Sequence, residues 1–198
     1  MKYELRRWLS FTSIEHPHIK LLAFKYPAIA AFIFSIIFIL WPHTAPINSA
    51  NGIFAEISSV VRILPAFFLA SLAAVATFNR AELDTAPPDP DAMKMIMRTA
   101  GQMVELNVTS RIFLTSLFSY LTGISFCLLI FSSIAKLMWP GILHFADAWT
   151  SPEILPHVNL TLEFIIIFLA AYLISKLIFC GSYGLYFLSE KIHRPNNV

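Results

Sequence analysis

Four apolar stretches, at about residues 21–41, 58–78, 112–137 and 160–188, constrain this chain more than any other feature. A helix rises 1.5 Å per residue, so about 20 apolar residues cross a hydrocarbon core of ~30 Å. Each stretch meets that length. A backbone in lipid must satisfy its own hydrogen bonds, which leaves helices as the way for such runs to cross. The expected fold class is therefore all-α: a polytopic membrane protein with four transmembrane helices in one domain spanning residues 1–198. Composition agrees, since 57% of the residues are hydrophobic and only 13% charged. A soluble chain carries about 25% charged residues. The first apolar run lies behind a polar N-terminus, so a cleaved leader is not expected.

The punctuation between the runs is legible. Tyr26 and Trp41 flank the first, and Pro42 and Pro46 follow it. Pro65 is expected to bend the second, which carries Ala66, Ala70 and Ala74 at four-residue spacing. Such a small-residue stripe allows helices to approach closely, within one subunit or between copies. Trp139-Pro140-Gly141 is expected to close the third run. The fourth is long enough to tilt or to project into water. Cys127 and Cys180 lie inside apolar runs and read as packed thiols.

Lysine and arginine set the orientation. Five occur from the N-terminus through Lys25, four between Asn79 and Arg111, and two in the tail. The other two loops hold none. The positive-inside rule then places both termini and the middle segment of a multi-pass protein in the cytoplasm. Leu5, Trp8, Leu9 and Phe11 among the N-terminal basic residues suggest contact with the lipid surface. Pro17, within His16-Pro17-His18, is expected to hold that stretch as a loop.

Residues 79–111 form the polar segment between the second and third spans. Its DTAPPDPD portion, which includes Asp84, Asp89 and Asp91, is too proline-rich and acidic to pack as a core. Asp89-Pro90 reads as a helix start. Met93, Ile96, Met97, Ala100, Met103 and Val104 then recur at helical spacing, predicting a cytosolic helix with one apolar stripe. Gly101 and Asn107 weaken that helix. A stripe of this kind packs on its own bundle, on a second copy, or on a soluble partner. For the last case the candidate contacts are Asp84, Asp89, Asp91, Met93, Ile96, Met97 and Met103.

Catalytic chemistry has no visible carrier. The chain lacks a zinc-protease helix, a phosphate-binding glycine loop and a nucleophile elbow. His43, His144 and His157, with Asp147 and Glu153, are too scattered for a metal centre. The expectation is a non-enzyme with no cofactor, and the net charge of +2 gives no reason for direct nucleic-acid binding. Glu56 with Arg62 and Glu163 with Lys136 are possible pairs at span ends. Lys176 is the exception inside a span, and ionisable groups in lipid usually serve a purpose. The Thr115, Ser119, Thr122 face would line a water path if the protein formed a pore.

A chain of this size with four spans, cytosolic ends and the middle segment DTAPPDPDAMKMIMR resembles the KwaA family, the membrane subunits of the bacterial Kiwa anti-phage defence system. The resemblance covers the architecture and carries no residue motif. It implies a membrane-embedded sensor and scaffold that forms a homo-oligomer in the lipid bilayer. It also implies docking of a cytosolic DNA-binding effector, the KwaB-like partner. The alternative is an oligomeric effector that forms a pore or depolarises the membrane.

Overall fold

The computed structural model describes residues 10–41, 52–77, 81–86, 94–99 and 102–191. Four helical segments are long and apolar enough to cross a membrane: Pro17–Leu40, Ile53–Thr77, Ser110–Trp149 and Leu155–Ser189. The chain thus has the all-α architecture of a multi-pass membrane protein. The first span packs on the fourth, the fourth on the third, and the second on the third. Tyr26 meets Phe179 at 6.2 Å and Phe32 meets Phe164 at 6.2 Å along the first pairing. Phe54 meets Phe131 at 6.2 Å between the second and third spans, where the Ser58 and Ser132 hydroxyls also lie 3.1 Å apart. The third span is the central one and buries the largest share of its apolar length.

These contacts bring the start of the first span, Thr77, Ser110 and Tyr186 to one end of the bundle, called here the near end. Leu40, Ile53 and the turn between Trp149 and Leu155 lie at the far end.

Several boundaries differ from the expected ones. Pro17 starts the first helix instead of blocking it, because proline at the first helical position lacks only an N–H that would have no partner there. The second span is two pieces, Ile53–Val61 and Leu64–Thr77, and Pro65 stands in the first turn of the second piece. The third helix does not stop at Trp139-Pro140-Gly141. It runs 40 residues to Trp149, about 60 Å at the usual rise. Ala135, Trp139 and Ala146 are buried on either side of Pro140 and continue its packed face, while Pro140 itself is exposed. An exposed proline leaves its orphaned carbonyl free to find other partners, so the helix survives it. The fourth helix starts at Leu155, earlier than expected, with a proline in its first turn.

The middle segment departs most. The predicted helix with its apolar stripe does not form. Strand β2, Lys94–Thr99, instead pairs antiparallel with β3, Gln102–Asn107, and a two-residue strand β1, Ile14–Glu15, adds to β2. The register sets Met95 opposite Leu106, Met97 opposite Val104 and Thr99 opposite Gln102. Two residues, Ala100 and Gly101, separate the strands, which is a hairpin spacing with the glycine such turns favour. Lys94 and Asn107, a cross-strand pair, are exposed, and Met95 beside them is 1% exposed. The small sheet sits as an appendage on an otherwise helical protein.

Candidate functional site

The near end gathers the chain's chemistry. Thr109 caps the third helix through its side-chain oxygen, which accepts from Ile112 N at 3.3 Å. One residue into that helix, Arg111 joins three elements. Its Nε and Nη2 donate to the Asp84 carboxylate at 2.7 and 3.2 Å, and its Nη1 donates to Val75 O at 3.2 Å, in the last turn of the second span. A planar guanidinium suits such a fork. Ser110 N adds a bond to Thr85 O at 3.0 Å. The Arg111 hydrogen bond holds the Asp84 carboxyl below its ordinary value, against an opposing effect of desolvation. Asp84, expected as a partner contact, is thus engaged within its own chain. Its pairing with Arg111, 27 positions away, has no signature in the sequence.

Beneath this tie lies an aromatic core. Phe113 meets Phe187 at 4.9 Å, Tyr183 at 5.9 Å and Phe11 at 6.1 Å. Phe11 also lies 5.2 Å from Tyr120. Phe11 is fully buried, so it does not rest on the lipid surface as expected. A Phe side chain buries its whole ring when other rings accept it, and here Phe113 and Tyr120 do.

Deeper in the bundle than this core lies Lys176, 8% exposed. Its Nζ donates to Tyr120 Oη at 3.2 Å and lies 4.5 Å from the Phe24 ring centre and 4.6 Å from that of Tyr172. Three spans therefore surround one ammonium with an aromatic cage. Ring faces attract a cation, most strongly where water is excluded. Among the described residues no carboxylate pairs with it. The ten residues from Lys176 to Tyr186 rise about 15 Å, so the cage lies well inside the near end.

The remaining expected residues are dispersed. Ile96 and Met97 lie in β2 and Met103 in β3. Asp89, Asp91 and Met93 fall outside the described residues. Ala66 and Ala70 are exposed and Ala74 half-buried, so the small-residue stripe faces away from the subunit's own helices. Cys180 is buried, but Cys127 is exposed on the apolar surface of the third span and is not packed as expected. Thr115 donates to Arg111 O at 2.8 Å and Thr122 to Phe118 O at 2.7 Å, so both hydroxyls bond their own helix. Glu56, Arg62, Lys136 and Glu163 form no ion pair with one another among the described residues. No group of three or more metal-ligating side chains occurs among them either.

Fold and site together define a class: a four-span helical membrane protein carrying a small hairpin at one end. Comparison with family models, with curated proteins and with solved structures finds no match for the chain.

Proposed function

We propose that this chain is an inner-membrane scaffold and sensor that holds a soluble effector at its near end. The supporting observation is the hairpin: two six-residue strands borne on a membrane bundle and joined, among the described residues, by the two-residue strand β1. Among the described residues β3 pairs with β2 alone, and strand addition at such an edge is a common way for soluble proteins to dock. The near end also holds Lys20, Lys25, Lys94 and Arg111, the charge pattern of a cytoplasmic face. Self-association fits the outward-facing Ala66 and Ala70, which offer close contact to a second copy. The setting that the Kiwa resemblance implies is defence against phage, with a DNA-binding effector as the docked protein.

The test is purification of the tagged full chain from its host in mild detergent, with and without phage challenge, followed by native mass spectrometry. A stoichiometric soluble protein is expected with the wild-type chain and should be lost with Met97→Asp plus Met103→Asp. A partner-free oligomer would overturn the scaffold reading. The pore-forming alternative would then be tested by planar-bilayer conductance.

A further inference from the structure

We infer that residues 10–16 are a latch that makes closure of the bundle's near end and retention of the hairpin one event. The segment is short and has two attachments. At one end Phe11, in the turn Ser10–Ser13, is fully buried between Phe113 and Tyr120 of the third span. Three residues later Ile14, 1% exposed, is the strand partner of Met95, also 1% exposed, and Glu15 pairs with Lys94. Three residues cannot extend beyond about 11 Å, so neither attachment can travel far while the other holds.

The latch is also poised. Burial of Phe11 and Ile14 favours the closed state. His16 opposes it. The imidazole is 2% exposed, and neither Nδ1 nor Nε2 has a hydrogen-bond partner among the described residues. Release to water would satisfy both, whereas closure leaves them unmet. The route inward is equally short: the Phe11 ring packs at a tilt against Tyr120, whose hydroxyl accepts from Lys176. Withdrawal of Phe11 removes the packing that holds Tyr120 under the caged ammonium. Latch coupling is a property of this chain alone and holds with or without a soluble partner.

Hydrogen exchange read by mass spectrometry, on the full chain in lipid nanodiscs, reports the hairpin. Maleimide labelling of buried Cys180, one turn from Lys176, in a Cys127→Ser background reports the bundle interior. Ile14→Asp puts a charge into the strand contact and leaves Phe11 untouched. It is expected to raise exchange across Lys94–Thr99 and labelling of Cys180 together, each roughly tenfold or more, with the second and fourth spans still protected. Phe11→Ala attacks the other attachment and should produce the same pair of changes. Should either variant unfold the spans, Ile14→Ala and Phe11→Leu give the same reading with smaller effects. The inference is overturned if a strand variant frees the hairpin while Cys180 labels at the wild-type rate. It is equally overturned if a Phe11 variant opens Cys180 without loosening the hairpin, or if neither readout moves.

Discussion

Gly184 and Gly181 lie one turn apart on one helix but meet different neighbours, and they should respond oppositely to alanine. At Gly184 an added Cβ would stand 2.8 Å from Leu117 Cδ2 and 3.8 Å from Phe118 Cζ. Leu117 is fully buried, so its methyl has no free volume into which to retreat. Overpacking of this kind costs about 1–3 kcal/mol. Alanine offsets part of that cost, being up to about 1 kcal/mol better than glycine within a helix. The net expectation for Gly184→Ala is a loss of about 0–2 kcal/mol. At Gly181 the nearest atom to an added Cβ is Phe68 Cζ at 4.0 Å, an ordinary contact. There the propensity gain stands unopposed, so Gly181→Ala should be neutral or stabilising by up to about 1 kcal/mol. The two variants should therefore differ by about 1–3 kcal/mol, the overpacking term alone. Reversible unfolding in mixed micelles with rising SDS, followed by tryptophan fluorescence, measures both. Equal stability of the two variants would refute the claim that the fourth span closes on Leu117 at Gly184.

The Lys176–Tyr120 bond should show as coupling: Lys176→Met strands the buried Tyr120 hydroxyl at a cost of about 1–3 kcal/mol, and adding Tyr120→Phe should recover part of it. Additive effects in that double-mutant cycle would mean the bond contributes nothing. Phe113→Ala removes the ring shared by Phe11, Tyr183 and Phe187 and should destabilise by about 3–5 kcal/mol in the same assay; a loss under 1 kcal/mol would mean that core is not formed. Asp84 carries a lowered folded-state pKa, so its tie to Arg111 contributes fully above the ordinary carboxylate value of about 3.9 and is lost as pH falls through the lowered value. Exchange at Ala81–Thr85 should accordingly rise in strong acid in the wild type, whereas Asp84→Asn should show the raised rate already at pH 7; indistinguishable wild-type and Asp84→Asn profiles would count against the tie.

What the sequence carried and what it did not follow from the range of each interaction. A span needs only its own 20 residues to be apolar, so four spans could be read from composition along the chain. Their ends could not. Whether Pro140 stops a helix depends on Trp139 and Ala146 being buried on either side of it, which a local window of sequence does not show. The middle segment shows the ambiguity of short windows. Met93, Ile96, Met97, Ala100, Met103 and Val104 fit a helix, yet Met95, Met97, Val104 and Leu106 fit two alternating strands about Ala100-Gly101 equally well. Gly101 was the residue that should have tipped the balance. The strand β1 had no signal of its own, because two residues have no period.

Lys176 stood out in the sequence because a charge in an apolar run is rare and local, but its cage did not. Phe24, Tyr120 and Tyr172 are ordinary interfacial or core aromatics until the first, third and fourth spans bring them together. The same holds for Arg111, whose partners Val75 and Asp84 come from the end of the second span and the short turn at Ala81–Asp84. Both cations are anchored by residues that local pattern assigns to other roles: an acidic linker, a lipid-facing ring, a helix end. The near end is thus built almost wholly from long-range contacts onto a frame that local hydrophobicity had already determined. Function at that end is accordingly sought by perturbing pairs, such as Phe11 with Tyr120 or Ile14 with Met95, and not by single residues that look chemical in isolation.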